Sequence, residues 1–211
     1  MVIKLNIIFA GSKGKTGSVI FEYLKNKGYK IDYEVNINEK RLIDVISPSS
    51  IVIDFTNSSS ATDHAIICLN NNSHFICGTT GISDDVMLRL SKDALSKNLN
   101  FVFSPNFSIG IPIIANTVDN LKADFPNSSI IESHHISKKD IPSGTALLLK
   151  KHLHSNTLIE SIRTTYQSLD HTINLENDYE KITITHIAKN KLAYALGVEK
   201  TLREIINKIK K

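Results

Sequence analysis

The sequence contains no tryptophan, two cysteines and no apolar run that approaches the roughly 18 residues of a membrane-spanning helix. Cys68 and Cys77 each lie in an apolar segment, and they do not form a Cys-x-x-Cys pair. Two such cysteines exclude a disulfide framework, and buried free thiols are typical of a reducing compartment. We therefore expect a cytoplasmic protein without a membrane segment.

The sequence also lacks the uninterrupted apolar stretch of a secretory signal. Lys4 and Asn6 interrupt the hydrophobic N-terminus, which continues directly into a glycine-rich segment. We interpret residues 2–10 as a first β-strand and not as a signal peptide.

No large excess of one charge is present, since 25 Lys and Arg residues and 21 Asp and Glu residues give a net charge of +4. Several cations lie near the C-terminus, at Lys200, Arg203, Lys208, Lys210 and Lys211. Their spacing is helical, and no aromatic platform is interleaved with them. We interpret them as a solvated helix face and expect no nucleic-acid partner.

A glycine-rich turn follows the first predicted strand. Its sequence is Gly11-Ser12-Lys13-Gly14-Lys15-Thr16-Gly17, and a helical pattern at 18–27 and a strand at 29–35 come after it. In a βαβ unit, such a turn lets the backbone approach a pyrophosphate at the helix N-terminus. The spacing G-x-x-G-x-x-G is less specific than G-x-G-x-x-G. A P-loop is the alternative, but it would need glycine where Phe9 stands.

The second predicted strand ends where a dinucleotide site often has an acid that binds the ribose hydroxyls. Asn36 occupies that place, and Lys40 and Arg41 follow it. Loss of the acid and gain of cations lessen discrimination against a 2′-phosphate. The sequence thus favours NADPH, or the use of either cofactor, with Asn36 at the cofactor site.

Three further apolar strands are predicted in the first half, at residues 50–55, 74–77 and 100–104, with helices at 61–70 and 83–97. Apolar strands that alternate with helices are typical of a parallel sheet covered on both faces. We predict an α/β fold with a Rossmann-like sheet. The segments 78–81 and 105–110 follow strands, at the edge where open α/β sheets bind ligands.

The pattern changes after Pro112. Helices are predicted at 113–124 and 143–154, an apolar strand at 129–131, alternating strands at 157–166, 171–175 and 181–187, and a last helix at 189–210. This order predicts an α+β unit with a mainly antiparallel sheet, inserted before a closing helix.

Residues 132–146 contain a polar cluster between a predicted strand and a predicted helix. His134 and His135 should face opposite sides if the strand extends to them. Lys138 and Lys139 supply cationic donors, and the Gly144-Thr145 pair begins a helix whose free N–H groups favour an anion. This combination predicts a pocket for a small dianion beside a proton donor. A solvated loop with exposed histidines and lysines is the alternative.

These segments resemble the 4-hydroxy-tetrahydrodipicolinate reductase (dihydrodipicolinate reductase) family of the lysine and diaminopimelate pathway. The resemblance covers nearly the whole chain and depends above all on residues 132–135, Lys138 and the turn at 140–146. Further matching segments are residues 52–56, 77–81, 106–110, 184–186 and 194–197, together with Arg163 and the later His171-Thr172.

The resemblance implies that His134 is the active-site histidine and that Lys138 is the general acid. His135, Gly144 and Thr145 would hold the two carboxylates of a cyclic unsaturated substrate. Besides Asn36, the implied contacts of NADPH or NADH are Gly11, Ser12, Lys13, Gly14, Lys15, Thr16, Gly78, Thr79, Thr80, Ser104, Pro105, Asn106 and Phe107.

The resemblance also implies a domain organisation and an assembly. Residues 1–106, completed by helix 190–211, would bind the dinucleotide, and residues 107–189 would bind substrate and form a homotetramer through their sheets. Hydride transfer would precede protonation. Independently of the resemblance, hydride addition to a conjugated C=C–C=N system leaves an electron-rich product that needs a proton donor nearby, and it needs no metal.

The chain departs from the family pattern at Lys15-Thr16, where the family usually has Arg-Met, and in the short segment between Asn36 and Ile51. Two other classes remain as alternatives. A semialdehyde dehydrogenase would need a nucleophilic cysteine in a polar loop. A non-catalytic dinucleotide-binding protein would have a disrupted polar cluster, and this cluster is complete.

Overall fold

The structure, a computed structural model, describes residues 5–166 and 168–210. Residues 2–4 of the predicted first strand and Lys211 of the predicted last helix lie outside the described residues. The chain divides into two compact units. The first consists of the residues up to Phe107 together with those from Tyr194 onward, and the second runs from Ser108 to Ala193.

The described residues form the following elements. The strands are β1 (Ile7–Ala10), β2 (Tyr33–Val35), β3 (Ile51–Asp54), β4 (His74–Cys77), β5 (Phe101–Phe103), β6 (Asn127–His135), β7 (Leu158–Thr164), β8 (Leu169–Glu176) and β9 (Lys181–Ile187). The helices are α1 (Gly17–Asn26), α2 (Leu42–Val45), α3 (Ser58–Asn70), α4 (Asp84–Ser96), α5 (Gly110–Leu121), α6 (Gly144–Lys150) and α7 (Leu192–Ile209). Throughout these ranges, no helix combines the length and the hydropathy that crossing a membrane requires.

The first unit is built on a parallel sheet in the order β2-β1-β3-β4-β5. Every residue of β1, β3 and β4 is buried, because helices cover both faces. On one face, Phe9 and Ile53 pack with α1 and with Leu202 of α7. On the other face, Val52 packs with α3 and with Leu90 of α4. The predicted Rossmann-like class is confirmed.

The second unit has a mixed sheet in the order β7-β6-β8-β9. β6 pairs in parallel with β7 and antiparallel with β8, which in turn pairs antiparallel with β9. One face of the sheet packs against α5 and α6 through Ile130, Ile173, Ile111 and Leu149. The predicted, mainly antiparallel α+β unit is therefore confirmed.

Several element bounds differ from the predicted ones. α5 begins at Gly110 rather than at 113, since Pro112 lies in the first helical turn, where proline is tolerated. β2 begins at Tyr33 rather than at 29, because the Tyr29 N–H still donates back to the α1 residue Leu24. α6 ends at Lys150 rather than at 154, since the next three N–H groups donate to the third residue before them, in tighter turns.

Candidate active site

The polar cluster lies at the end of β6 and in the loop that follows it. β6 extends to His135, so successive side chains alternate between the two faces of the sheet. His134 is 5% exposed, on the same face as buried Ile130, whereas His135 lies on the other face and is partly exposed. The two histidines therefore face opposite sides, as expected, and are available for different roles.

Glu132, fully buried two residues before His134, is the centre of the cluster. Its Oε2 pairs with Nδ1 of His134, and its Oε1 accepts hydrogen bonds from Arg163 Nη1 at 3.0 Å and from the Ser143 N–H at 3.3 Å. Burial raises the pKa of Glu132, but hydrogen bonds, including that from Arg163, and the neighbouring His134 hold the pKa below its ordinary value. The carboxylate is therefore ionised at neutral pH.

His134 is neutral in this environment. Burial lowers its pKa below the ordinary histidine value, Glu132 opposes that shift, and the charges of Lys138 and Arg163 add to it. A neutral imidazole that donates its Nδ1–H to a carboxylate has a lone pair on Nε2. His134 can thus accept a hydrogen bond or a proton at Nε2.

Arg163 of β7 joins Glu132 to the loop that carries Lys138. Its Nη2 donates to the carbonyl oxygen of Asp140 at 2.7 Å, and its Nε donates to that of Lys138 at 3.4 Å. The parallel register places Arg163 directly opposite His134. One guanidinium therefore holds both the buried carboxylate and the backbone of the lysine loop.

The side chain of Lys138 forms an ion pair within this loop. Its Nζ lies 2.9 and 2.8 Å from the two carboxylate oxygens of Asp140, and the Lys138 side chain is 28% exposed. Burial raises the pKa of Asp140, but Lys138 outweighs this effect and keeps the pKa below its ordinary value. The Lys138 ammonium group is thus held in place and remains accessible from solvent.

The turn after the loop begins α6 at the predicted residues Gly144 and Thr145. Ser143 caps the helix, because its Oγ accepts a hydrogen bond from the Ala146 N–H at 3.2 Å. The same Oγ lies 3.2 Å from Nε2 of His171. Ser143 and Thr145 are both buried, so the turn is fixed against the cluster.

Glu132, His134 and His171 could in principle bind a metal ion, since one ligand atom of each lies within 4.8 Å of the others. Burial lowers the pKa of His171 to about 3, so its imidazole is neutral. However, both oxygens of Glu132 already accept hydrogen bonds, and Arg163 places a positive charge beside them. We interpret Glu132 and His134 as a hydrogen-bonded pair, against which the His171 ring packs with its centroid 5.1 Å from that of His134.

Glu132, Arg163 and His171 were not assigned to the site from the sequence. Glu132 could have been found, because it lies two residues before His134 and therefore on the same face of the strand. Arg163 and His171 stand opposite His134 and Glu132 on the neighbouring strands, which is known only from the register.

In the first unit, the predicted glycine turn packs closely against the residues that follow β3. Gly11 has φ +86°, and a Cβ on it would lie 2.5 Å from the carbonyl oxygen of Phe55. Thr16 precedes α1 without a side-chain capping hydrogen bond. A glycine turn that leads into an uncapped helix N-terminus fits the pyrophosphate of a dinucleotide. Gly14 and Lys15 are exposed in this turn.

Beside the turn, a polar network connects β1 to the end of β2. Ser12 Oγ donates to Glu34 Oε2 at 2.6 Å, and Asn36 Nδ2 donates to Ser12 Oγ at 3.0 Å. Lys13 pairs with Glu39, which also accepts a hydrogen bond from Asn36 Nδ2 at 2.9 Å. Asn36 therefore lies at the predicted place, but among carboxylates that the sequence had not pointed to.

The predicted residues after β4 lie at the same edge of the sheet, since the strands are parallel. Thr79 Oγ1 donates to the buried Asp54 at 2.9 Å, and Thr56 Oγ1 donates to the same oxygen at 2.8 Å. Gly78 faces the ring of Phe55, with no room for a Cβ, and Thr80 is exposed. Asp54 was not predicted as part of this edge.

The segment after β5 divides into exposed and buried residues. Pro105 is exposed, and Ser104 Oγ donates to the Asn106 carbonyl at 2.7 Å. Asn106 and Phe107 are 6% and 7% exposed, and the Phe107 ring packs 6.1 Å from that of Phe55. Phe107 thus contributes to the core, and its contact with a cofactor stays a prediction.

The two cysteines do not supply a nucleophile. Cys68 and Cys77 are 0% and 1% exposed. Burial raises the pKa of Cys77 to about 12 and raises that of Cys68 well above its ordinary value. Because the thiolate is the reactive form, neither residue suits covalent catalysis.

Both units are of kinds found in nicotinamide-dependent oxidoreductases: a dinucleotide-type sheet with a glycine turn, and a separate unit that presents a partly exposed lysine beside a buried histidine. Residues 5–107 match the family "Dihydrodipicolinate reductase, N-terminus", and residues 110–211 match "Dihydrodipicolinate reductase, C-terminus". The chain is 34% identical over 200 residues to the 4-hydroxy-tetrahydrodipicolinate reductase of Thermosipho africanus, covering 94% of this chain and 90% of that protein. It belongs to the 4-hydroxy-tetrahydrodipicolinate reductase family.

Solved structures show the same fold. The dipicolinate-bound dihydrodipicolinate reductase from Paenisporosarcina sp. TG-14 superimposes with a TM-score of 0.74 at 22% identity, covering 96% of this chain and 94% of that one. Aspartate semialdehyde dehydrogenase II from Vibrio cholerae reaches a TM-score of 0.62 at 10% identity, with coverages of 96% and 98%. The fold alone does not separate these two enzyme classes, whereas the buried cysteines argue against the second.

Proposed function

We propose that this chain uses NADH or NADPH to reduce 4-hydroxy-tetrahydrodipicolinate, or dihydrodipicolinate, to tetrahydrodipicolinate in lysine and diaminopimelate biosynthesis. The observation that carries this proposal is the complete polar cluster of the second unit, in which the buried Glu132 pairs with His134 and connects through Arg163 to the loop of Lys138. Membership of the family supports the same substrate.

The reaction adds one hydride and one proton to a conjugated ring, and it also releases water when the substrate still carries its 4-hydroxyl group. When bound, a reduced nicotinamide supplies the hydride. Lys138 donates the proton from Nζ, and its positive charge stabilises the electron-rich product of hydride addition. Neutral His134, fixed by Glu132, orients the substrate through Nε2.

His135, Gly144 and Thr145 hold the two carboxylates of the substrate in this proposal. The Ser137 N–H donates to Nδ1 of His135 at 3.1 Å, so a neutral His135 carries its proton on Nε2. That N–H is a donor suited to a carboxylate. The backbone N–H groups of Gly144 and Thr145 at the start of α6 are the further donors in this proposal, and that of Gly144 also contacts the Asp140 carboxylate.

The glycine turn, Asn36 and the segments after β4 and β5 would hold the cofactor, and we expect NADH to bind more tightly than NADPH. The carboxylate of Glu39 accepts a hydrogen bond from Asn36, and that of Glu34 is connected to Asn36 through Ser12, so a 2′-phosphate there would add negative charge beside two carboxylates. The nearby cations are engaged elsewhere: Lys13 with Glu39, Lys40 over the Tyr33 ring at 5.4 Å, and Arg41 with Asp44 at 2.9 Å. These contacts oppose the NADPH preference that the sequence favoured.

Two further parts of the proposal concern assembly and location. The sheet face opposite α5 and α6 exposes Ile162 and Ile187, which are 40% and 61% exposed. We propose that it joins copies of the chain into a homotetramer in the cytoplasm. Light scattering on the purified protein would measure the mass, and a monomer would contradict the assembly.

The decisive experiment follows the loss of nicotinamide absorbance with substrate made freshly from pyruvate and aspartate semialdehyde by a synthase. We expect substrate-dependent oxidation of both cofactors, and a lower Kd for NADH than for NADPH when binding is measured by nicotinamide fluorescence. A folded protein that binds NADH but does not oxidise it with this substrate would favour the non-catalytic alternative.

A further inference from the structure

We infer that Glu132 and Arg163 are positioning residues for the proposed reaction, so that His134 and Lys138 both depend on one buried ion pair. This inference rests on the proposed reductase function. It concerns residues that touch the two predicted catalytic groups, although neither Glu132 nor Arg163 is placed to react itself.

Glu132 determines which nitrogen of His134 carries the proton. An ionised carboxylate only accepts hydrogen bonds, so the Nδ1 of His134 that faces Oε2 must be the protonated nitrogen. Both residues lie on β6, two positions apart, and both are buried. The strand therefore fixes their separation, and Nε2 is left as the acceptor.

Arg163 determines where the backbone of Lys138 lies. Its guanidinium donates to the carbonyl oxygens of Lys138 and Asp140, and its third contact, to Glu132, fixes the orientation of the planar group. The Lys138 N–H in turn donates to the His135 carbonyl at 2.9 Å. The backbone of Lys138 is thus held at both its carbonyl oxygen and its N–H group, and Asp140 holds the ammonium group of its side chain.

The same carboxylate also reaches the third part of the predicted pocket. Oε1 of Glu132 accepts the Ser143 N–H at 3.3 Å, directly before Gly144 and Thr145. One buried side chain therefore contacts the histidine, the arginine that holds the lysine loop, and the turn that begins α6. This convergence distinguishes Glu132 from an ordinary core ion pair.

The substitution Glu132→Gln tests the histidine part. Its amide oxygen is expected to keep facing Arg163 and Ser143, since both are donors, so its NH₂ group faces His134 and donates to Nδ1. His134 must then carry its proton on Nε2. We expect kcat to fall about 10- to 100-fold, while KM for the substrate changes less than about threefold. Glu180→Gln, an exposed glutamate in the turn between β8 and β9, is the matched control.

The tautomer is measured by ¹⁵N NMR of the histidine side chains, with His134 assigned from the signals lost in His134→Asn. We expect Nδ1–H in the wild type and Nε2–H in Glu132→Gln. A wild-type Nε2–H tautomer, or a Glu132→Gln variant with unchanged tautomer and kcat, would overturn the inference. The NMR measurement needs no turnover, so an inactive wild type would reject the reductase function separately.

Arg163→Lys tests the lysine part even if Glu132→Gln does not fold. A lysine keeps the charge beside Glu132 but cannot reach both loop carbonyls at once. We expect a lower kcat with the Nδ1–H tautomer of His134 retained. Wild-type kcat in this variant would remove Arg163 from the positioning of Lys138.

Discussion

The glycine turn of the first unit and the polar cluster of the second hold their polar residues in opposite ways. In the first unit, the network beside the glycine turn lies at the surface, and the side chains of Lys13 and Glu39 are 70% and 37% exposed. In the second unit, the side chain of Glu132 is fully buried and that of Arg163 is 12% exposed. Exposed ion pairs contribute little to stability, whereas a buried charge that loses its partner is strongly destabilising.

The difference shows how each unit can form a binding site. The glycine turn of the first unit offers backbone groups, so side chains beside the turn can vary, as they do at Lys15-Thr16. The second offers specific side chains whose orientation depends on a desolvated carboxylate. We therefore expect substitutions in the second unit to have larger effects than matched substitutions in the first.

The largest expected difference is between two lysines. Lys138→Ala should lower kcat by about 10²- to 10⁴-fold, because it removes the proposed proton donor, and it should leave the Kd for NADH nearly unchanged. Lys13→Ala should retain most of the wild-type kcat when NADH is saturating, since Lys13 is proposed to contact the cofactor and not the substrate. Steady-state kinetics and nicotinamide fluorescence measure both quantities, and near-native turnover of Lys138→Ala would exclude Lys138 from the chemistry.

Stability should show the next largest difference. Arg163→Ala leaves the buried Glu132 without its cationic partner, and we expect the free energy of unfolding to fall by about 3 kcal/mol. Lys13→Ala removes the exposed ion pair with Glu39 and should leave the free energy of unfolding unchanged within error. Urea denaturation followed by circular dichroism makes the comparison. Equal effects of the two substitutions would contradict the contrast between the units.

A pH dependence of stability should come from His171. Its pKa is about 3 in the folded chain and close to the ordinary 6.5 when unfolded, so the unfolded state binds more protons between these values. Stability should therefore fall as the pH decreases from 6.5 towards 3, by at most about 1.4 kcal/mol per pH unit for this one group. Thermal unfolding measured at several pH values in this range should show that Tm falls less steeply with decreasing pH in His171→Gln than in the wild type. If Tm depends on pH in the same way in both proteins, His171 is excluded as a source of the pH dependence.

The smallest expected effect concerns cofactor choice. Glu39→Gln removes a carboxylate beside Asn36 and releases Lys13 from its ion pair. We expect the Kd for NADPH to fall by about two- to fivefold, and that for NADH to change by less than twofold, because exposed charges are well screened. Titration of nicotinamide fluorescence measures both Kd values, and a comparison of low and high salt shows how far the effect is electrostatic. An unchanged ratio of the two Kd values would place the 2′-position away from Glu39.

The sequence predicted the sheets better than it predicted the contacts across them. Buried parallel strands are continuous apolar runs, so β4 was predicted with its observed bounds, and the alternating pattern of β9 was equally clear. The four residues of α2 were missed, because Leu42–Val45 spans little more than one helical turn and shows no periodicity.

The histidines, lysines and small residues of the candidate site were predicted from one continuous segment. The residues that organise them were not, since Arg163 lies 31 positions from Glu132 and meets it only through the pairing of β6 with β7. The prediction of NADPH, or of either cofactor, depended on Lys40 and Arg41 being available, and it stays a prediction. Their contacts with Tyr33 and Asp44 depend on side-chain directions that a sequence does not give.

Helix α7 has a consequence for how the chain is made. It completes the core of the first unit with Val198, Leu202 and Ile205, beside Phe9 and Ile20 from the other end of the chain. During translation, the N-terminal sheet leaves the ribosome before this helix does, and one of its faces is then covered only in part, by α1. The second unit, which is continuous in sequence, can fold first. The first-made strands are therefore expected to be among the last to reach their final packing, and they need protection from aggregation in the interval.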